Sequence, residues 1–163
     1  MNVAIISDVH DNLANLYKCL DWCNKNKIEK IIYCGDVTNS ETLKVLSEKF
    51  DGEIFLVKGN IELYYKEEIE LYKNIDYLGR QGVINIESKK VGICHEPYFI
   101  DGLLEKGKVD FVFYGHTHKP WTEERDGVKI FNPGTLGGVF QKATFAVWDT
   151  DKDKVDLKLL ETL

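Results

Sequence analysis

Every histidine in this chain stands in a short segment with a further polar or sulfur-bearing residue. There are four. His10 closes Ser7-Asp8-Val9-His10, His95 follows Cys94, and His116 and His118 lie two apart in Gly115-His116-Thr117-His118. Gly35-Asp36 and Gly59-Asn60 add a carboxylate and a carboxamide. Imidazole nitrogen mixed with carboxylate and amide oxygen suits Mn²⁺, Ni²⁺, Fe²⁺ or Zn²⁺ better than Mg²⁺ or Ca²⁺, and no thiolate is needed. Each piece has an ordinary explanation on its own. An Asp after a strand can cap a helix or turn, a buried His can be a hydrogen-bonded core residue, and Asn after Gly makes turns. Those explanations must hold independently at five places. One metal site accounts for them all.

The five segments follow apolar runs that read as strands. Val3–Ile6, Ile31–Tyr33 (after Ile28), Ile54–Val57, Val91–Cys94 and Val109–Tyr114 are short and continuous, the pattern of strands buried on both faces. Between the first three lie helices. Asn12 can cap one that carries Leu13, Leu16, Leu20 and Cys23 at helical spacing, and Thr42–Phe50 forms another with Leu43 and Leu46 inward. Alternating strands and helices predict crossover units and a largely parallel sheet, whose ligands bind beyond the carboxyl ends of the strands. Val83–Ile86 adds a strand, and Asp126-Gly127 turns a hairpin between Thr122–Arg125 and Val128–Phe131. Thr144–Trp148 and Val155–Leu159 make a second hairpin around 150–154. The fold expected is one α/β domain over residues 1–163, two facing sheets with helices outside.

Composition removes other classes. Lys and Arg number 21 against 27 Asp and Glu, a net charge of −6, the wrong sign for a clamp on long nucleic acid. No apolar run approaches the roughly 18 residues of a membrane span. The opening MNVAIISD lacks a basic n-region and does not read as a signal peptide. Four cysteines without a secretion signal read as reduced thiols, and the expected location is the cytoplasm.

The ordered set D-x-H, G-D, G-N, a lone H and then G-H-x-H resembles the calcineurin-like metallophosphoesterase superfamily. Gly115–Pro120 and the following Asn132-Pro133-Gly134 resemble its small archaeal and bacterial phosphodiesterase branch. The resemblance runs from residue 4 to about Val147 and implies a four-layer αββα sandwich of two mixed sheets with a two-metal site at the strand ends. It implies two divalent transition-metal ions, with Mn²⁺ or Ni²⁺ placed before Fe²⁺ or Zn²⁺. Carried over, Asp8, His10, Asp36 and His118 would hold one ion, Asp36 would bridge, and Asn60, His95 and His116 would complete the second. These seven would be both the metal-binding and the catalytic set. A water bridging both ions would be deprotonated near neutral pH and attack phosphorus in line. The implied partner is a small phosphodiester, with no membrane or long nucleic acid and with homo-oligomerisation left open.

Departures from the family pattern carry information. Many members follow G-N with a His that assists catalysis, whereas this chain reads Gly59-Asn60-Ile61-Glu62. Ile61 cannot donate a proton, and Glu62 is expected to orient a metal-binding histidine. The lone His is followed by Glu96-Pro97 instead of Gly, and Asp11 stands where the branch often has Gly. Cys34 and Cys94 should point away from the ligands, Cys19 and Cys23 should fill the core, and Lys66-Glu67-Glu68 should be a solvated face. Tyr64 and Tyr65 read as packing residues.

Two other functions compete with a phosphodiesterase. A non-enzymatic interaction scaffold would resemble the retromer subunit of the same fold, but Asp36, His116 and His118 are all in place. A phosphomonoesterase needs a cation for the extra phosphate charge, and the only arginines, Arg80 and Arg125, lie outside the motifs.

Overall fold

Strands alternate with helices as far as residue 56. β1 (Asn2–Ile6), α1 (Leu13–Lys25), β2 (Lys30–Tyr33), α2 (Ser40–Lys49) and β3 (Glu53–Leu56) follow one another. The one-turn α3 (Lys66–Ile69) leads to β4 (Ile75–Tyr77), β5 (Gln81–Ile86) and β6 (Lys89–Cys94). After α4 (Ile100–Glu105) and β7 (Phe111–Phe113) come two hairpins. One pairs β8 (Trp121–Arg125) with β9 (Val128–Asn132), the other β10 (Thr144–Asp149) with β11 (Lys154–Leu159). The computed structural model describes residues 1–105, 107 and 109–163.

Two mixed sheets result. One has the order β11-β10-β1-β2-β3-β4, with β1 to β4 parallel and the β10–β11 hairpin antiparallel on the β1 edge. The other has the order β5-β6-β7-β9-β8, parallel in the middle and antiparallel at both ends.

The period of two along a strand explains the layering. Ala4 and Ile6 face α1 and α2 together with Tyr33 and Leu56, in a core that also takes in Leu16, Leu20, Leu43 and Leu46. Val3 and Ile5 point the other way, packing with Ile32, Phe55 and Trp148 against Ile84, Val91 and Phe113 of the second sheet. Behind the second sheet, Val112 and Ile130 pack on Ile100 and Leu103 of α4. Helices, sheet, sheet and helix are thus the four layers expected. At fully buried positions, leucine and isoleucine contribute roughly 1.5–3 kcal/mol each to this arrangement.

Helix starts are set by local chemistry. The Asn12 side chain accepts from Asn15 N–H at 3.2 Å, and Asn39 accepts from Glu41 and Thr42 N–H at 3.0 and 3.3 Å. Each satisfies backbone donors that the first turn leaves without partners. Lys66 and Glu67 are exposed, as a solvated face requires, but Glu68 is half-buried and accepts Tyr65 N–H at 2.8 Å. Tyr64 packs as expected, whereas Tyr65, 74% exposed, is not a packing residue.

Candidate metal centre

The loops leaving β1, β2, β3, β6 and β7 meet at one end of the paired sheets, and their backbones are unusual. Asp8, His10, Asp36, His116 and His118 all adopt left-handed conformations, with φ between 47° and 70°. Asp and His tolerate this region better than most residues, yet each such position costs energy that the surroundings must offset. Cross-strand hydrogen bonds supply the restraint. Asp8 N–H donates to Gly35 O at 3.0 Å, and Val9 and His10 N–H both donate to Asp36 O at 3.2 Å. Asp11 continues the run at φ 58°, which glycine would adopt freely, and its Oδ1 accepts from Asn39 N–H and Thr42 Oγ1, tying the loop to the start of α2.

Two glycines are demanded by close approach. A Cβ on Gly59 would lie 1.9 Å from Asp36 Oδ1, and one on Gly115 would lie 1.9 Å from Ser7 Oγ and 2.8 Å from Asp8 Oδ2. The Gly-Asn and Gly-His pairs therefore let neighbouring loops close onto the two carboxylates.

All seven residues expected from the sequence come together. Asp8, Asp36 and His95 form the buried floor, while Asn60 and His116 lie at the exposed mouth. Asp8 Oδ1 is 3.3 Å from His118 Nε2, 3.7 Å from His10 Nε2 and 4.0 Å from His95 Nε2. Asp36 Oδ2 lies 3.7 Å from His10 Nε2 and 3.3 Å from His95 Nε2, between the two groups of imidazoles. Asn60 Oδ1 is 2.8 Å from both His95 Nε2 and His116 Nδ1. The Nε2 atoms of His10 and His118 approach to 3.0 Å.

This geometry fits divalent cations. Asp8 Oδ1 is buried and accepts no hydrogen bond, although its other oxygen accepts from His116 N–H at 3.0 Å. Two buried carboxylates share the floor with no lysine or arginine among the described residues to balance them, a costly arrangement unless a cation binds. Ligand atoms of Asp8, His10 and His118 all lie within 4.8 Å of one another, as do those of Asp8, Asp36 and His95. His95 Nδ1 can donate to Cys34 O at 2.7 Å and His118 Nδ1 to Val139 O at 3.3 Å, leaving each Nε2 lone pair aimed inward. That is how metal-binding imidazoles are oriented.

Charge within the centre is mutually reinforcing. Burial works against ionising Asp8, but the imidazoles of His10 and His118 overcome it and hold the carboxyl well below its usual range. Burial would lower His95, yet Asp36 and Asp8 keep it above an ordinary imidazole. The Asp8 carboxylate raises His118 in the same way. The thiols behave oppositely. Burial pushes Cys94 up to about 12 and Cys34 well above the usual thiol range, so neither is an activated nucleophile. All four cysteines are buried, including Cys19 and Cys23 on the core-facing side of α1.

Calcineurin-like phosphoesterase is the family whose domain model matches residues 1–153. The chain belongs to that superfamily. A phosphodiesterase of Methanocaldococcus jannaschii is 29% identical to it, covering 99% of this chain and all of that one. The solved structure of an archaeal phosphodiesterase superposes with a TM-score of 0.88 at 26% identity, over 98% of this chain and 99% of the other. The fold is shared as well with Vps29 of Entamoeba histolytica, solved with Zn²⁺, at TM-score 0.71 and 21% identity over 98% and 99% of the two chains. This calcineurin-like chain accordingly belongs to a family that implies divalent metal ions.

One reading of the calcineurin-like motif is corrected. Glu62 orients no histidine. Its Oε1 accepts from Asp36 and Gly59 N–H at 3.0 Å and from Val37 N–H at 3.4 Å, and its Oε2 accepts from Thr38 N–H at 2.8 Å. The carboxylate turns back into the loops that present Asp36 and Asn60, where four backbone N–H groups converge on it. The Asn132–Thr135 turn also has a definite task. Asn132 Nδ2 donates to Gly115 O at 2.8 Å, and Thr135 Oγ1 to Asp8 O at 2.8 Å, bracing the loops that carry His116 and Asp8. Sequence reasoning set Arg80 aside, yet it lines a cleft with Asn60. Only the turn from β4 into β5 puts it there, and β4 has no clear sequence signal.

Proposed function

We propose that this protein is a metal-dependent phosphodiesterase of one domain over residues 1–163, cleaving small phosphodiesters at a two-metal centre. The observation that carries the proposal is the pair of buried carboxylates, Asp8 and Asp36, whose inward oxygens each face imidazoles on both sides of the centre. His10 and His118 would hold one ion with Asp8; Asn60, His95 and His116 would hold the other; Asp36 would reach both. Mn²⁺ or Ni²⁺ suits this nitrogen and oxygen set, with Fe²⁺ or Zn²⁺ next. Bound ions would supply Lewis-acid activation of water and neutralise charge on the phosphoryl oxygens. The chain itself fixes the carboxylates, keeps the imidazole lone pairs inward, and leaves the mouth beside Asn60 and His116 open to an ester. Four buried thiols fit a reducing compartment such as the cytoplasm.

The names of the archaeal relatives support a diester over a monoester, and Arg125 is already paired with Asp101 and Glu123. The scaffold reading is favoured by one feature, the exposure of Ile61, Leu63, Tyr65 and Leu71. Turnover separates the readings. Protein reconstituted with Mn²⁺ or Ni²⁺ should retain metal by elemental analysis and cleave aryl phosphodiesters faster than matched monoesters. Metal at background with no turnover would sink the proposal.

A further inference from the structure

Beside the metal centre lies a cleft of about 240 Å³ lined by Lys58, Gly59, Asn60, Glu62, Arg80 and Glu96. Asn60 belongs to both, because its Oδ1 touches His95 and His116 while its loop forms the cleft wall. The two cations are held side by side through the backbone. Leu78 N–H donates to Leu56 O at 2.9 Å and Lys58 N–H to Gly79 O at 2.7 Å, so Arg80 follows directly from the residue pinned to Lys58.

Neither cation makes an ion pair among the described residues, whereas Arg125 makes two. In a chain of net charge −6, two uncommitted cations in one cleft stand out. Of the two acids there, Glu62 is already taken up by four backbone N–H groups. Glu96 is the other acid, so the formal charges of the cleft cancel, but Lys58 and Arg80 are left as donors with no carboxylate partner among the described residues. A guanidinium presents a planar fork that matches carboxylate or phosphate oxygens, and a lysine adds a point charge.

We propose that this cleft is an anion subsite and that the preferred substrate is a phosphodiester bearing a second negative group, carboxylate or phosphate, near the ester. The inference rests on the phosphodiesterase reading for its substrate. Arg80 and Lys58 are specificity residues in it, and Glu96 sets the selectivity by repelling anions that do not reach the guanidinium.

The test uses p-nitrophenyl propyl phosphodiesters whose propyl chain ends in a methyl ester, a carboxylate or a phosphate, assayed with Mn²⁺-loaded protein. The corresponding p-nitrobenzylphosphonates, in which CH₂ replaces the aryl ester oxygen so that no phenolate can leave, are titrated by calorimetry in parallel. Wild type should favour the charged esters. Arg80→Gln should cut their kcat/KM about 10-fold through KM, the scale of one charge-assisted hydrogen bond, and leave the methyl ester within about 2-fold. Glu96→Gln should shift the charged esters the opposite way. The carboxylate and phosphate arms tell which anion is preferred. Equal binding of charged and uncharged phosphonates, unchanged by Arg80→Gln, overturns the subsite whether or not any ester is cleaved. Charge-selective binding without cleavage upholds the subsite and overturns the phosphodiesterase reading alone.

Discussion

Asp36 is the residue whose removal should cost most, because its Oδ2 faces imidazoles of both groups while its Oδ1 accepts Ile61 N–H at 2.9 Å. Asp36→Asn keeps the shape but not the charge. It should lower bound metal and reduce turnover by a factor of 10² or more, about 3 kcal/mol of barrier, with circular dichroism unchanged. Metal content and rate at wild-type levels would show that Asp36 bridges nothing. Its neighbour Ile61 sets a different limit. Its side chain is 47% exposed at the mouth and carries no proton. A positioned general acid is worth typically 10²–10⁴-fold, and without one a phenolate leaves far more easily than an alkoxide. Rates should therefore fall steeply as leaving-group pKa rises, and Ile61→His should restore part of the alkyl-ester rate. A flat dependence on leaving-group pKa, with chemistry rate-limiting, would mean that another residue supplies the proton. At this scale the sequence was most legible, because ligand chemistry restricts residue type so strongly that all seven candidates stand out as letters. Glu62 and Arg80 were not legible. A carboxylate can serve imidazole or backbone equally well, and only the fold decides which donors it meets.

Elements were legible where burial imposes a period. The runs at Val3–Ile6 and Ile31–Tyr33 became central strands, and the spacing of Leu16, Leu20 and Cys23 became the inner face of α1. Three elements gave no such signal. β4 is a three-residue edge strand with one face in solvent, and α3 and α4 are only four and six residues long, too short for periodicity to register. Val109 and Tyr114 are buried but lie outside β7, whose ladder covers only Phe111–Phe113, because the apolar run continues into packed loop on both sides. The left-handed turns after β1, β2 and β7 were also invisible, since Asp and His occur in many conformations and the positive φ follows from the loop. Glu62 is what holds these connections between elements. Glu62→Gln replaces one acceptor oxygen with an NH₂ that meets N–H donors head on. It should destabilise the protein by about 1–3 kcal/mol in urea unfolding and weaken metal binding as the Asp36 loop relaxes. Unaltered stability and metal affinity would show that the four backbone contacts do not position that loop.

At the scale of the whole molecule, the centre joins two sheets that elsewhere meet through apolar packing and a few polar contacts such as Lys89–Asp153 at 2.6 Å. Asp8, His10, Asp36 and Asn60 extend from the first sheet, and His95, His116 and His118 from the second. A cation held by both sets would clasp the sheets together in the folded state alone. At 100 times its dissociation constant it would add about 2.7 kcal/mol, a rise in Tm of about 5–10 °C for a chain of this size. The pH dependence of that rise follows from the imidazoles. His95 and His118 titrate above the ordinary imidazole value, so without metal their contribution to stability is fully present below that value and declines as pH rises through their folded values. Asp8, held low, contributes stability above the usual carboxylate range and loses it only in stronger acid. Metal binding has the opposite slope over the histidine range, because each ligand must be neutral and protons compete for the same lone pair. Competition from His95 and His118 starts at a higher pH than it would for unperturbed histidines. The Tm difference between Mn²⁺-loaded and EDTA-treated protein should consequently widen from about pH 5.5 to pH 8.5, with the steepest change above the ordinary imidazole value of about 6.5. Scanning calorimetry of the two forms across that range measures it directly. A gap that stays constant across the range would place the stabilising cation away from these histidines.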